Sequence, residues 1–293
     1  MAIQWYPGHM TKARKVIEEA MAQHDIVIEV LDARMPVASE NPLVTEVRKH
    51  RPCLKILSKA DLADPAVTKA WMHYFETERT ERSNAHPEGN VVAIATSTDR
   101  RGEIKKRVPE ICKRLVPHRS NAKRIVRAMI LGIPNVGKST LINTLVSRRV
   151  ANVGDKPAVT KSLQRVEVDP GFAVSDNPGM MWPRIDDEAT GLMLAFGGAI
   201  PDTAIDSQPV ALFGAQILLE HYPALVVARY HLKEVPKDAD ALLDEIGRRR
   251  GGLRAGGVVD RDKAADILLH DFRSGVIGRI SLERPRGGAP TPS

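Results

Sequence analysis

Residues 132–139 read Gly-Ile-Pro-Asn-Val-Gly-Lys-Ser, two glycines separated by four residues and followed directly by Lys138 and Ser139. These types at this spacing suit a polyphosphate. The glycines let backbone N–H groups wrap around an anion with no Cβ in the way, and a helix beginning there turns its positive end toward it. Lys138 would reach the β- and γ-phosphates and Ser139 would ligate Mg²⁺, with Asn135, Val136, Gly137 and Thr140 completing the nucleotide-holding loop. An ordinary glycine-rich turn needs no flanking elements. Here an apolar strand, Ala128–Leu131, leads in, and STLINTLVSR continues as a helix.

Two later stretches fit the same chemistry. Asp176-Asn177-Pro178-Gly179 follows the strand FAVS, so Asp176 can hold Mg²⁺ through water and Gly179 can offer its N–H to a γ-phosphate. Thr160, in KPAVTKS, is placed to reach metal and γ-phosphate. Alone, the first is a common turn and the second a loop threonine. Their order after a phosphate loop gives both a task, and makes Lys138, Thr160 and Gly179 the catalytic set.

The base would be read upstream, by Ser58-Lys59-Ala60-Asp61. Asp61 can accept two hydrogen bonds from the ring N–H and amine of guanine. Adenine would leave that carboxylate unpaired, which a buried site rejects strongly. The Lys59 stem can cover the base, and Ala95-Thr96-Ser97, ending the next strand, can support it through backbone N–H groups. Guanine readers usually carry Asn at the position of Ser58. A hydroxyl is shorter and makes fewer bonds, so guanine preference with weaker affinity is expected. The implied ligands are GTP and GDP with Mg²⁺.

The order is therefore base reader, base support, phosphate loop, threonine loop, D-x-P-G. A GTP-binding domain usually begins with the phosphate loop. Cutting and rejoining the chain leaves the sheet intact if the old ends meet, and 117–124 (PHRSNAKR) would be the join. The fold class expected is α/β: a circularly permuted P-loop GTPase domain, mostly parallel, with helices on both faces.

The elements that must position these residues follow from apolar pattern. Strands are expected at 25–34, 53–57, 90–97 and 127–133, alternating with helices at 11–24, 66–78 and 102–115. At 163–179 two strands flank Asp169-Pro170-Gly171, whose Pro presets φ and whose Gly tolerates positive φ, giving one antiparallel hairpin. Beyond Pro183 the pattern becomes helical, at 210–222, 239–249 and 263–275. The expected domains are 1–183 for the nucleotide, 184–283 as a smaller all-helical domain, and 284–293 as a disordered tail rich in Pro and Gly.

Lys and Arg number 43 against 36 Asp and Glu, a net charge of +7 that favours an anionic partner such as nucleic acid, though a merely basic surface would look the same. The basic residues from Arg100 to Arg127 and Arg248–Arg250 are the candidate contacts. Cys53 and Cys112 are too few for a disulfide framework or a four-cysteine zinc site. No apolar stretch has signal-peptide length at the start, and 191–200 is too short to span a bilayer. A reducing cytoplasm and no membrane partner are expected.

Together, WYPGHMTKA at the start, LDAR-x-P over Leu31–Pro36, SKADL, GIPNVGKST, DNPGM and the ending AADILLHDFRSGVIGRISLE resemble the YlqF/RbgA family of circularly permuted GTPases, the ribosome biogenesis GTPase A group, over nearly the whole chain. The resemblance implies GTP hydrolysis coupled to a late step of large ribosomal subunit assembly, with ribosomal RNA and proteins as partners. The GTP state would dock on the precursor, and hydrolysis would re-aim the helical domain and release the protein. Many small GTPases place a water-orienting Gln after D-x-x-G; Met180 stands there instead, and the resemblance points to His9 in its place. A structural or RNA-contacting histidine is the alternative. Asn135 resembles a residue that couples related GTPases to K⁺. Two other readings are a non-hydrolysing RNA-binding scaffold and a small-subunit assembly GTPase, the latter usually carrying a β-barrel or zinc module that this sequence lacks.

Overall fold

The computed structural model describes residues 17–77, 91–117, 125–146, 164–176, 185 and 187–285. Among the described residues, contacts define two units, one spanning 185–282 and the other comprising those from 17 up to 176 together with 283–285.

The first unit is built on a six-stranded sheet. After a helix ending at residue 21 come β1 (Ile26–Asp32), α1 (Pro42–Arg48), β2 (Cys53–Ser58), α2 (Pro65–Glu76), β3 (Val91–Ala95) and α3 (Arg101–Leu115). Next are β4 (Val126–Leu131), α4 (Lys138–Val146), β5 (Gln164–Asp169) and β6 (Phe172–Asp176). The strand order is β3-β2-β1-β4-β6-β5, parallel throughout except for the β5–β6 hairpin. Only Pro170 and Gly171 separate the hairpin strands, and Gly171 takes φ +97.

β1 and β2 are buried at every position, as parallel strands covered on both faces must be, and that burial explains their near-continuous apolar runs. One cluster joins Ile17, Met21, Val27, Val44, Val47 and Met129; a second joins Leu31, Leu57, Val67, Trp71 and Phe75. The charged exceptions face each other. Glu29 and Lys55 are register partners, the Lys55 ammonium binds the Glu29 carboxylate, and Glu40 closes the group at 2.7 Å.

β4 sits where the connections diverge: chain entering from β1 proceeds to β2 and β3, chain leaving β4 proceeds to β5 and β6. In an open α/β sheet, ligands bind at the carboxyl ends of strands flanking such a point. Those ends are Asp32 and Leu131.

The second unit is helical: α5 (Glu188–Phe196), α6 (Ser207–His221), α7 (Pro223–Tyr230), α8 (Ala239–Arg249) and α9 (Arg261–Ser274). Asp187, Asp206, Asp238 and Asp260 each cap a helix by accepting a backbone N–H of its first turn. Phe196 stacks on Phe272 at 4.4 Å, and Gly214 makes room, since a Cβ there would lie 2.2 Å from the Phe196 ring. Arg273 donates to the carbonyls of Ala195 and Phe196 at 2.8 and 3.1 Å, closing the end of α5. Among the described residues no single helix is long and apolar enough to cross a membrane. The apolar stretch 191–200 is the second half of α5 and the turn after it.

Glu283, which the sequence places in the helical part, instead belongs to the sheet unit. Its carboxylate accepts from Val37 N and Ala38 N at 2.7 and 2.8 Å, and its carbonyl accepts from Trp71 Nε1 at 3.2 Å. The proposed tail beyond residue 285 lies outside the described residues.

Candidate functional site

The loop leaving β4 is shaped by three residues with positive φ: Gly132 at +151°, Asn135 at +60° and Gly137 at +101°. A Cβ on Gly132 would sit 2.5 Å from Val30 O, so only glycine lets the loop pass β1. Asn tolerates the left-handed turn better than most residues with a side chain. Lys138 opens α4 and is buried, with Nζ donating to Ile133 O at 2.7 Å, so the loop encircles its own ammonium.

Beside this loop lies a cavity of about 280 Å³. Asn135, Gly137, Lys138, Ser139 and Thr140 form one wall; Ser58, Lys59, Thr96 and Ser97 form another. Residues read from two distant stretches of sequence as phosphate and base readers therefore face one space. The Ser139 hydroxyl in that wall is a hard oxygen donor of the kind Mg²⁺ accepts.

The remaining expected site residues divide into those near the cavity and those outside the described residues. Asp61 is exposed in the turn after β2. That turn is fixed to its neighbour, because Ala60 N donates to Thr96 O at 3.1 Å and Thr96 N to Leu57 O at 2.8 Å. Ala95 pairs with Leu57 at the end of β3, and Val136 is buried behind the phosphate loop. The Asp176 backbone ends β6 opposite Ile130. His9, Thr160, Gly179 and Met180 lie outside the described residues.

Ser58 turns out to do more than its size suggests. Its Oγ lies 2.9 Å from Leu31 O and 2.5 Å from Val136 O, so one hydroxyl proton serves the end of β1 and the phosphate loop together. The short side chain suffices because the loops approach closely: a Cβ on Gly137 would stand 3.6 Å from Ser58. What the hydroxyl does not supply is the amide pair that Asn would carry.

A residue with no role assigned from sequence sits behind the base wall. Asp32, at the end of β1, is wholly buried and binds both Arg34 and Lys59. Burial alone would push its carboxyl up, but the Arg34 and Lys59 charges and their hydrogen bonds hold it well below the usual carboxylate range. The signal in the sequence was an Asp closing a run apolar but for Glu29, with Arg two residues on.

Residues 127–208 match the family described as 50S ribosome-binding GTPase. That match opens at β4 with the phosphate loop, leaving the Ser58–Asp61 turn ahead of it, as a permuted order requires. The ribosome biogenesis GTPase A of Bacillus licheniformis is 42% identical over 97% of this chain and 99% of its own length. The chain belongs to the ribosome biogenesis GTPase A family. The Bacillus cereus family member is 40% identical over 97% of this chain and 95% of its own. A crystal structure of GNP-bound YlqF from Thermotoga maritima superposes with a TM-score of 0.63 at 25% identity, covering 94% of this chain and 99% of that one. As a family member the chain is a circularly permuted GTPase that binds guanine nucleotides.

Proposed function

We propose that the chain hydrolyses GTP on a precursor of the large ribosomal subunit at a late assembly step, with hydrolysis releasing it. The observation that carries the reading is that Lys138 and Ser139 on one side and Ser58 and Lys59 on the other wall the same cavity. The large subunit as partner is supported by the name of the family matched at 127–208 and by an anion-seeking net charge of +7. Arg101, Lys105 and Lys106 on the exposed face of α3 suit ribosomal RNA phosphates. Arg248–Arg250, at the end of α8, give the helical unit its own RNA contact.

The roles follow from chemistry. Asp61 and the Lys59 stem hold guanine, with the backbone of Ala95–Ser97 beneath it. Residues 135–140 cradle the phosphates, and Lys138 draws charge from the γ-phosphoryl group. Ser139, Thr160 and, through water, Asp176 would hold Mg²⁺, which neutralises charge between the β- and γ-phosphates. Gly179 would sense the γ-phosphate, His9 would orient the attacking water in place of a glutamine, and Asn135 would support a K⁺. Cys53 and Cys112 are buried free thiols, consistent with work in the cytoplasm.

The test is GTP turnover with purified large or small ribosomal subunits, paired with co-sedimentation of the GTP-loaded protein. Turnover should rise with the large subunit alone, and binding should weaken as salt rises. Equal stimulation by small subunits, or none by either, would overturn the proposal. A GTP-dependent complex without turnover would favour the scaffold.

A further inference from the structure

Asp32 occupies a place where water cannot stabilise a carboxylate, and its oxygens are supplied entirely by protein donors. Oδ1 accepts from Arg34 N at 3.0 Å and Arg34 Nε at 2.9 Å; Oδ2 accepts from Arg34 Nη2 and Lys59 Nζ, each at 2.8 Å. The two-pronged pair with Arg34 already balances the charge. Lys59 is a second cation, and it is the member of the trio that lines the nucleotide cavity.

Backbone geometry delivers Lys59 to that carboxylate. Asp32 and Ser58 are register partners at the carboxyl ends of β1 and β2, and Ala33 N donates to Ser58 O at 2.9 Å. Asp32 N is itself held on Ser39 Oγ at 2.9 Å. Lys59 then takes φ +55, a left-handed conformation uncommon outside glycine, which turns the chain toward Asp61. Without an anchor, a partly exposed lysine would sample many rotamers.

We propose that Asp32 is a positioning residue for guanine-nucleotide binding: it grips Lys59 Nζ so that the lysine stem stands as a preformed wall of the cavity, while Arg34 keeps the carboxylate in place. Asp32 touches no nucleotide. It removes from binding the entropy of ordering Lys59. The inference rests on the base-reading role of Ser58–Asp61 proposed above.

Fluorescent GDP and ADP, titrated into the full chain and its variants, test both levels separately. Lys59→Met and Asp32→Asn should each weaken GDP binding roughly tenfold, the scale of a lost charged hydrogen bond. The double variant should be no weaker than Lys59→Met alone, because Asp32 acts through Lys59. Hydrolysis by Asp32→Asn should show a raised KM with kcat unchanged. Asp32→Asn alone strands a buried Arg34 and can compromise folding, so Arg34→Met with Asp32→Asn removes the pair as a unit and must show the same weakening. Undiminished GDP affinity in that pair variant overturns the proposal, as does an unaffected Lys59→Met or an equal Asp32→Asn effect in the Lys59→Met background. A parent chain that binds ADP as tightly as GDP would instead overturn the base-reading role itself, and the proposal with it.

Discussion

The two walls of the cavity proposed to hold the nucleotide are built by different means. The phosphate wall is one continuous stretch, 132–140, shaped by backbone: three residues with positive φ and a lysine enclosed by its own loop. The base wall is assembled from separate loops and held by side chains reaching across the fold, Lys59 to Asp32 over 27 residues and Ser58 to Val136 over 78. A backbone-shaped wall fails when a glycine is replaced and is indifferent to protonation. A wall held by charges and hydroxyls tolerates backbone change better but answers to charge and pH.

The largest expected effect is on the phosphate wall. Gly132→Ala places a Cβ 2.5 Å from Val30 O at a φ of +151°. Backbone oxygen cannot swing aside, so strain and overpacking together should remove about 2–5 kcal/mol of stability and GDP binding with it. Denaturant midpoints and GDP titration check this; a variant as stable and as tight as the parent would mean the loop is not held by β1.

The loop after β1, which follows the Asp32 that holds the base wall, should show a signature in pH. Glu283 reaches back to the loop after β1, and burial pushes its carboxyl up to about 7; the Val37 and Ala38 N–H groups oppose that shift, while Glu40 and Asp32 add to it. A raised carboxyl favours the folded state below its ordinary value of 4.5, and that contribution is lost as pH rises through 7. At about 1.4 kcal/mol per pH unit, the loss approaches roughly 3 kcal/mol. His24 acts oppositely: burial lowers its pKa, so its share of stability is lost as pH falls below 6.5. Comparing the parent with Glu283→Gln cancels His24. From pH 5 to 8 the parent should lose stability relative to the variant; parallel curves would contradict the burial of this carboxyl.

The same contrast decides what was legible in sequence. The phosphate loop is encoded where it acts, so eight consecutive residues disclose it. The strands were legible because burial on both faces leaves little but apolar residues in β1 and β2. Helix α1 was not foreseen: seven residues are too few for periodicity, and its one signal was Asn41 capping ahead of Pro42. Helix α5 escaped because EATGLMLAF has no strong polar face to contrast with its apolar one. The grip of Asp32 on Lys59 was invisible for a different reason. It depends on Asp32 and Ser58 sharing a register, which belongs to the sheet and to no local stretch.

Ser58 joins the two walls, and its replacement should have the smallest effect of the three. Ser58→Ala deletes one hydroxyl shared between Leu31 O and Val136 O, worth about 1 kcal/mol when both acceptors stay in place. The loss should fall on binding more than on folding, because the sheet beneath is held by the β1–β2 ladder whether or not the loops are tied. GDP affinity should drop roughly three- to tenfold. ADP should weaken by the same factor, since the tie sets the spacing of the two walls and the proposed reading leaves the distinction between bases to Asp61. Equal GDP affinity in parent and variant would mean that the walls keep their spacing without the serine. A fall in GDP binding with ADP unchanged would make Ser58 a reader of guanine rather than the link between the two walls.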